Sequence, residues 1–277
     1  MNLREETNFM LKKYDLKANK KLGQNFLINE SVVIEIVEKA EVNKEDLVIE
    51  IGPGLGTLTA ALAESAKKVI AVELDDSMIP VLNERFALYD NVQIIHNDIL
   101  KTDINSLING EAHVKIVANL PYYITTPIVM KLLEERLNIE SITVMVQKEV
   151  GERFCSAPNG KEYGAITVSI NYYTEPEIVI DVPKENFMPI PEVDSCVVNL
   201  KVRKTHIELK SEKKFFQVIK AAFSQRRKNL GNSLLAVAKD KEEIKKMLTA
   251  LEIDINKRAE NLSLEDFAKI SNWLEEG

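Results

Sequence analysis

Four short stretches of this chain set glycine or polar residues at the ends of apolar runs, where a ligand could reach them. The first, "EIGPGLGTLT" (50–59), closes one apolar run and opens a helical pattern. Its glycines Gly52, Gly54 and Gly56 permit a tight turn and close approach of a ligand to the backbone. Thr57 stands where a dinucleotide fingerprint sets its third glycine, so this loop does not demand a pyrophosphate. Pro53 and Leu55 fill the turn and no basic residue is near it, which suits a small carboxylate or a sulfonium equally well. The second stretch is "VIAVELD", whose Glu73 lies 21 residues after Gly52 and can accept both hydroxyls of a ribose. The third is "IIHND", whose Asp98 can accept from an adenine amino group. Either acid alone would serve as a helix cap. Three such features at successive strand ends of an open α/β sheet point instead to an adenosine-containing ligand without an essential diphosphate, that is, to S-adenosylmethionine.

The fourth stretch is "NLPYYITTP" (119–127). Asn119 offers an amide oxygen, and Pro121 frees the Leu120 carbonyl from regular pairing, which makes a second acceptor. Two acceptors can hold the two hydrogens of an exocyclic amine, aim its lone pair at a methyl donor and stabilise the positive charge that develops on nitrogen. Tyr122 supplies a face on which a purine can stack. The plainer alternative is a proline-initiated helix with packed tyrosines.

These residues need a scaffold that brings them to one edge. "LVIEI" (47–51), "KVIAVEL" (68–74), "VQIIH" (92–96), "VKIVA" (114–118) and "ITVMVQ" (142–147) are short and apolar almost throughout, as strands covered on both faces are. Helical patterns lie between them at 57–65, 77–89 and 127–137, so the chain predicts a parallel sheet with helices on both faces. "AITVSINYY" (165–173) and "SCVVNLKV" (195–202) read as an antiparallel pair closing the sheet edge. From residue 205 the composition turns helical and charged, which sets the expected domains at 1–204 and 205–277.

Composition excludes several classes. The opening "MNLREETNFM" is too charged for a signal peptide, and no apolar stretch is long enough to span a bilayer. Cys155 and Cys196 form no metal-ligand pattern and His96, His113 and His206 are scattered, so no metal site and a reducing, cytoplasmic setting are expected. The net charge of −7 argues mildly against a nucleic-acid partner. Its distribution argues the other way, because residues 201–228 hold ten basic and two acidic side chains, net +8, and Lys12, Lys13, Lys17, Lys20 and Lys21 form a second cluster. Phosphate binding answers to such local potential.

Taken with "GQNFL" (23–27), "VQKEVGERF" (146–154), "FMPIPEVDS" (187–195) and "AAFSQRRKNL" (221–230), these motifs resemble, in order and over most of the chain, the ribosomal-RNA adenine dimethyltransferases of the bacterial small-subunit type. The resemblance implies a Rossmann-like class I methyltransferase sheet, mostly parallel with an antiparallel closing strand, and a smaller helical C-terminal domain. It implies that Gln24, Asn25 and Leu27 line the pocket for S-adenosyl-L-methionine and that Phe187 faces Tyr122 as a second stacking wall. The expected substrate is a pair of adjacent adenosines near the 3′ end of small-subunit rRNA within a partly assembled 30S subunit. The enzyme is expected to act as a monomer with neither metal nor membrane. Arg226, Arg227 and Lys228 then fall on a helix where they would contact RNA phosphates. Large-subunit methylation, as in the macrolide-resistance methylases, and a non-catalytic assembly factor are the rivals. The joint presence of Glu73, Asp98, Asn119, Tyr122 and Phe187 favours an enzyme.

Overall fold

In the computed structural model, residues 2–19, 22–205, 207–225 and 228–276 are described. The chain forms two compact units, Met1–Gly151 with Pro176–Val202, and Glu152–Glu175 with Arg203–Gly277. Residues 152–175, expected within the first domain, thus group with the C-terminal helices.

The first unit begins with α1 (Leu3–Lys13), β1 (Phe26–Leu27) and α2 (Glu30–Lys39). The alternating core follows: β2 (Leu47–Ile51), α3 (Thr57–Ser65), β3 (Lys68–Glu73), α4 (Ile79–Arg85), β4 (Val92–His96), α5 (Ile104–Ile108), β5 (Val114–Asn119), α6 (Thr125–Glu134), β6 (Ser141–Gln147) and α7 (Lys148–Phe154). After α8 (Ala165–Tyr173) come β7 (Thr174–Val182), β8 (Phe187–Met188) and β9 (Ser195–Val202). Seven strands form one sheet in the order β4-β3-β2-β5-β6-β9-β7. The five strands of the β-α alternation pair in parallel, and β9 runs antiparallel to β6. Every residue of β2 is buried, and all of β3 beyond Lys68, because helices cover both faces.

Strand order reverses between β2 and β5, with Ile51 beside Ala118. A crevice opens at such a switch point, outside the carboxyl ends of the strands. The loop after β2 and the loop after β5 therefore face one another, which is what brings Gly52 and Asn119 together.

"AITVSINYY" is a helix, α8, and the run "EIVIDV" belongs to the edge strand β7. Its β-branched and aromatic content reads as strand, but the segment is covered on nearly every side. Thr167, Val168, Ser169, Ile170, Tyr172 and Tyr173 are all buried, so no helical period survives in the sequence. Polar side chains close it locally: Gly164 N donates to Thr167 Oγ1 at 3.1 Å, and Ser169 Oγ donates to the Ala165 carbonyl at 3.0 Å.

The second unit adds α9 (Glu212–Phe223), the short α10 (Leu230–Ser233), α11 (Lys241–Ala250) and α12 (Leu264–Glu276) to α8. Its core is aromatic, with Tyr172 5.1 Å from Phe215 and Phe223 5.7 Å from Phe267, centroid to centroid. No helix among the described residues is long and apolar enough to cross a membrane.

Candidate active site

One cavity gathers the ends of β2, β3, β4 and β5 under the loop that precedes β1. Gln24, Asn25, Leu27, Gly52, Gly54, Glu73, Asp98, Asn119, Leu120 and Tyr122 all line it. Ten residues expected from separate motifs thus share one space.

Beside the glycine loop, Glu73 is only 5% exposed and is pinned by backbone: Gly54 N donates to Oε2 at 2.9 Å and Asp75 N to Oε1 at 2.8 Å. Burial pushes its carboxyl above the usual range, and the Asp75 and Gly54 hydrogen bonds pull it back. Gly54 stands at φ +57° with Phe26 packed 3.3 Å from where a β-carbon would stand, so the position favours glycine. Asp98 Oδ1 accepts from Leu100 N at 2.9 Å, and Asp98 still faces the cavity.

Glu50 also lines the cavity, 1% exposed in the middle of the sheet. Burial, with the Glu73 charge adding to it, pushes its carboxyl up to about 8. Thr59 lies close enough to ease that shift, yet its hydroxyl and Glu50 Oε2 are both buried without a partner of hydrogen-bonding geometry. An acid inside the apolar "LVIEI" was a signal available in the sequence and was missed.

At the end of β5, Asn119 Nδ2 donates to the Asn25 carbonyl at 3.2 Å. That bond assigns the amide orientation and turns Oδ1 away from Asn25, leaving it as an acceptor. The Leu120 carbonyl accepts no backbone hydrogen bond among the described residues, as expected for a residue before proline. Tyr122 is half-buried, its hydroxyl 2.8 Å from Ser195 Oγ at the start of β9.

The loop before β1 touches both the Glu73 and the Asn119 ends of the cavity. Gln24 Nε2 donates to Asp75 Oδ2 at 2.7 Å, and Asp75 in turn holds Glu73. The glycine loop, expected to lack a basic neighbour, has one: Arg85 Nη1 donates to the Leu55 carbonyl at 2.9 Å while Nη2 lies 2.7 Å from Glu6 on α1. Thirty residues of sequence separate Arg85 from Leu55, so only the fold reveals the contact.

Two expectations change. Phe187 does not line the cavity: β8 pairs antiparallel with β1, Leu27 opposite Phe187, and the ring is 1% exposed in a core cluster with Val33 and Ile36. Lys228 is exposed but lies past the end of α9, not on a helix, and Arg226 and Arg227 fall outside the described residues. Ion pairs also trim the basic segment, Arg203 to Glu175 at 2.9 Å and Lys210 to Glu276. The solvent face of α9 keeps Lys213, Gln217 and Lys220. Among the described residues one cluster could hold a metal ion, Asp46, His113 and Glu140, at the amino ends of the strands and away from the cavity. Asp46 there already pairs with Lys115 at 2.9 Å.

A seven-stranded sheet of this order, with a glycine loop, a pinned acid and an Asn-Leu-Pro-Tyr turn in one crevice, defines a Rossmann-like methyltransferase. The sequence profile described as "Ribosomal RNA adenine dimethylase" matches residues 15–276, and the chain belongs to that family. It is 48% identical over 269 residues to the ribosomal RNA small subunit methyltransferase A of Clostridium acetobutylicum, covering 97% of this chain and 98% of that one. Among solved structures it is similar to a dimethyladenosine transferase from Plasmodium falciparum, with a TM-score of 0.76, 26% identity, and 88% and 95% of the two chains covered. It shares the fold of the 23S rRNA methyltransferase ErmE, with a TM-score of 0.72, 24% identity, and 91% and 100% covered. The protein is an rRNA methyltransferase, and membership of this family implies S-adenosylmethionine as donor.

Proposed function

We propose that the chain transfers methyl groups from S-adenosylmethionine to N6 of two adjacent adenosines near the 3′ end of small-subunit rRNA, dimethylating each. It acts as a monomer on a partly assembled small subunit and needs no metal. The observation that carries this reading is Asn119, fixed by the Asn25 carbonyl so that its Oδ1 and the Leu120 carbonyl remain as paired acceptors in the cavity that holds Glu73 and Asp98.

The residues fit the donor. Glu73 suits a ribose diol, Asp98 an adenine amine, and the unpartnered Glu50 Oε2 a cationic or N–H group. When bound, the donor supplies an electrophilic methyl group on a sulfonium. The adenine N6 lone pair is drawn into the ring, so the amine is a weak nucleophile. Asn119 Oδ1 and the Leu120 carbonyl would hold its hydrogens and turn the lone pair toward the methyl carbon. As the N–C bond forms, the C–S electrons stay on sulfur and positive charge moves to nitrogen. The two acceptors oppose that charge more strongly than they do the neutral amine, so the barrier falls. The cationic nitrogen then loses a proton to water, leaving the neutral methylated amine and S-adenosylhomocysteine. Tyr122, fastened through Ser195, would offer the purine a ring face.

The test is incubation with methyl-labelled S-adenosylmethionine and small subunits lacking the modification, with large subunits and naked rRNA in parallel, then nucleoside analysis. N6,N6-dimethyladenosine from small subunits alone, cut by roughly two to three orders of magnitude in Asn119→Ala, is the expected result. Label on large subunits would overturn the substrate assignment, and tight subunit binding without label would overturn the enzymatic one.

A further inference from the structure

The Asn-Leu-Pro-Tyr turn contains a second tyrosine that the chemistry above does not use. Tyr122 and Tyr123 are neighbours in one turn, yet their environments are opposite. The Tyr122 hydroxyl is tied to Ser195 and its ring is half-buried. Tyr123 is 58% exposed, lines the same cavity, and its hydroxyl makes no hydrogen bond among the described residues. Its ring is nonetheless seated. The Cδ1 and Cε1 atoms lie 3.5 and 3.7 Å from the position a β-carbon of Gly23 would take, so the ring rests on bare backbone. Gly23 is at φ +61°, a conformation that side chains rarely adopt, so the loop before β1 supports the ring without covering it.

A solitary exposed aromatic needs no explanation in general. This one is set apart by its place, at the rim of the cavity and four residues from Asn119. A nucleotide whose base enters that cavity remains joined to neighbours on both sides, and one neighbouring base must lie at the rim. Extruding the target also strips that neighbour of its stacking partner, which costs a few kcal/mol unless something replaces it. Every base offers a π-face, so an exposed tyrosine ring is a suitable replacement whatever the sequence.

We propose that Tyr123 is a stacking platform for the base adjacent to the target adenosine, a subsite for RNA separate from the target pocket. The inference rests on the methyltransferase reading and extends it from the reacting base to its neighbour. The platform would act on RNA affinity and on the alignment of the target amine, and leave the donor alone. Tyr123 thus stands as a positioning residue beside Asn119 and Leu120.

The experiment compares wild type, Tyr123→Ala and Tyr123→Phe on unmethylated small subunits with labelled S-adenosylmethionine. KM for subunits and KM for donor are measured separately, and donor binding by calorimetry confirms that each variant is folded. Loss of one base–aromatic stack, at the low end of its usual range, predicts a rise of about 5- to 10-fold in subunit KM for Tyr123→Ala. Donor affinity should stay within about twofold, and Tyr123→Phe, which keeps the ring, should restore the RNA affinity. An unchanged subunit KM in Tyr123→Ala would overturn the platform while the methyltransferase reading stands. An equal loss of donor affinity would overturn it too, since the ring would then act through Gly23 on the donor loop. A wild-type protein that labels no RNA would overturn the function and the platform together.

Discussion

Replacing Glu50 by glutamine should abolish a pH dependence of stability that the native acid imposes. Glu50 is buried one residue from the carboxyl end of β2, with its carboxyl pushed up to about 8 from 4.5. Below pH 4.5 both folded and unfolded chains hold the proton, and the acid has no net effect. Between 4.5 and about 8 the unfolded chain ionises while the folded one stays protonated, so the folded state loses ground by about 1.4 kcal/mol per pH unit. Above 8 the penalty is complete, near 5 kcal/mol as an order of magnitude. Thermal melts of donor-free wild type and Glu50→Gln at pH 5 and pH 7 read the effect, because the groups other than Glu73, whose charge acts on Glu50, titrate alike in both. The glutamine variant should gain about 3 kcal/mol on wild type across that interval, or about 6–12 °C in Tm. Parallel melting curves would refute the reasoning. They would mean that Glu50 is ionised in the folded state and that a partner compensates it.

Further expectations follow from single contacts. Arg85→Met leaves the Leu55 carbonyl without its donor and frees α1 from the glycine loop, so calorimetry should show donor binding weakened about tenfold. Gly56→Ala places a β-carbon 2.6 Å from Phe86 Cε2 at a backbone φ of +80°, and should cost about 2–4 kcal/mol in denaturant unfolding. Lys228→Ala, if the lysine contacts one phosphate, should reduce the slope of log affinity against log salt by about 1 in subunit-binding titrations.

What the sequence revealed and what it concealed divide along physical lines. Strands β2, β3, β5 and β6 are short and buried almost throughout, a pattern that few other structures produce. Strand β4, partly exposed at the sheet edge, continues the same alternation, and the motifs that end these strands inherit their position from the parallel register. Glu73, Asp98 and Asn119 were legible for that reason. The edge strand β7 was not, because its outer face meets solvent and its burial is irregular from Thr174 to Val182. Helix α8 was misread because near-total burial removes the amphipathic stripe that marks a helix. Phe187 shows a third kind of failure. Its motif is local, but its burial depends on β8 pairing with Leu27, which stands 160 residues earlier. The basic segment 201–228 shows a fourth, since Glu175 and Glu276, which neutralise two of its charges, lie outside it in sequence.

The loop before β1 is where the two halves of the site become one. Gln24 and Asn25 are adjacent in the chain and engage opposite sides of the chemistry. Gln24 reaches through Asp75 to the acid suited to the donor ribose, and the Asn25 carbonyl orients the amide that would grip the acceptor amine. Gly23, one residue earlier, carries the ring of Tyr123, and Phe26, one residue later, closes over Gly54. A rigid sheet fixes the strand ends, but it cannot by itself choose the rotamer of Asn119 or bring Gly54 N to Glu73. A single strap of four residues makes those choices, so what settles the strap on the donor side also settles it on the acceptor side. The resemblance placed "GQNFL" in the donor pocket alone. Its contacts reach Asn119 as directly as they reach Asp75 and Gly54, which is why a glycine, two amides and a phenylalanine stand there in succession.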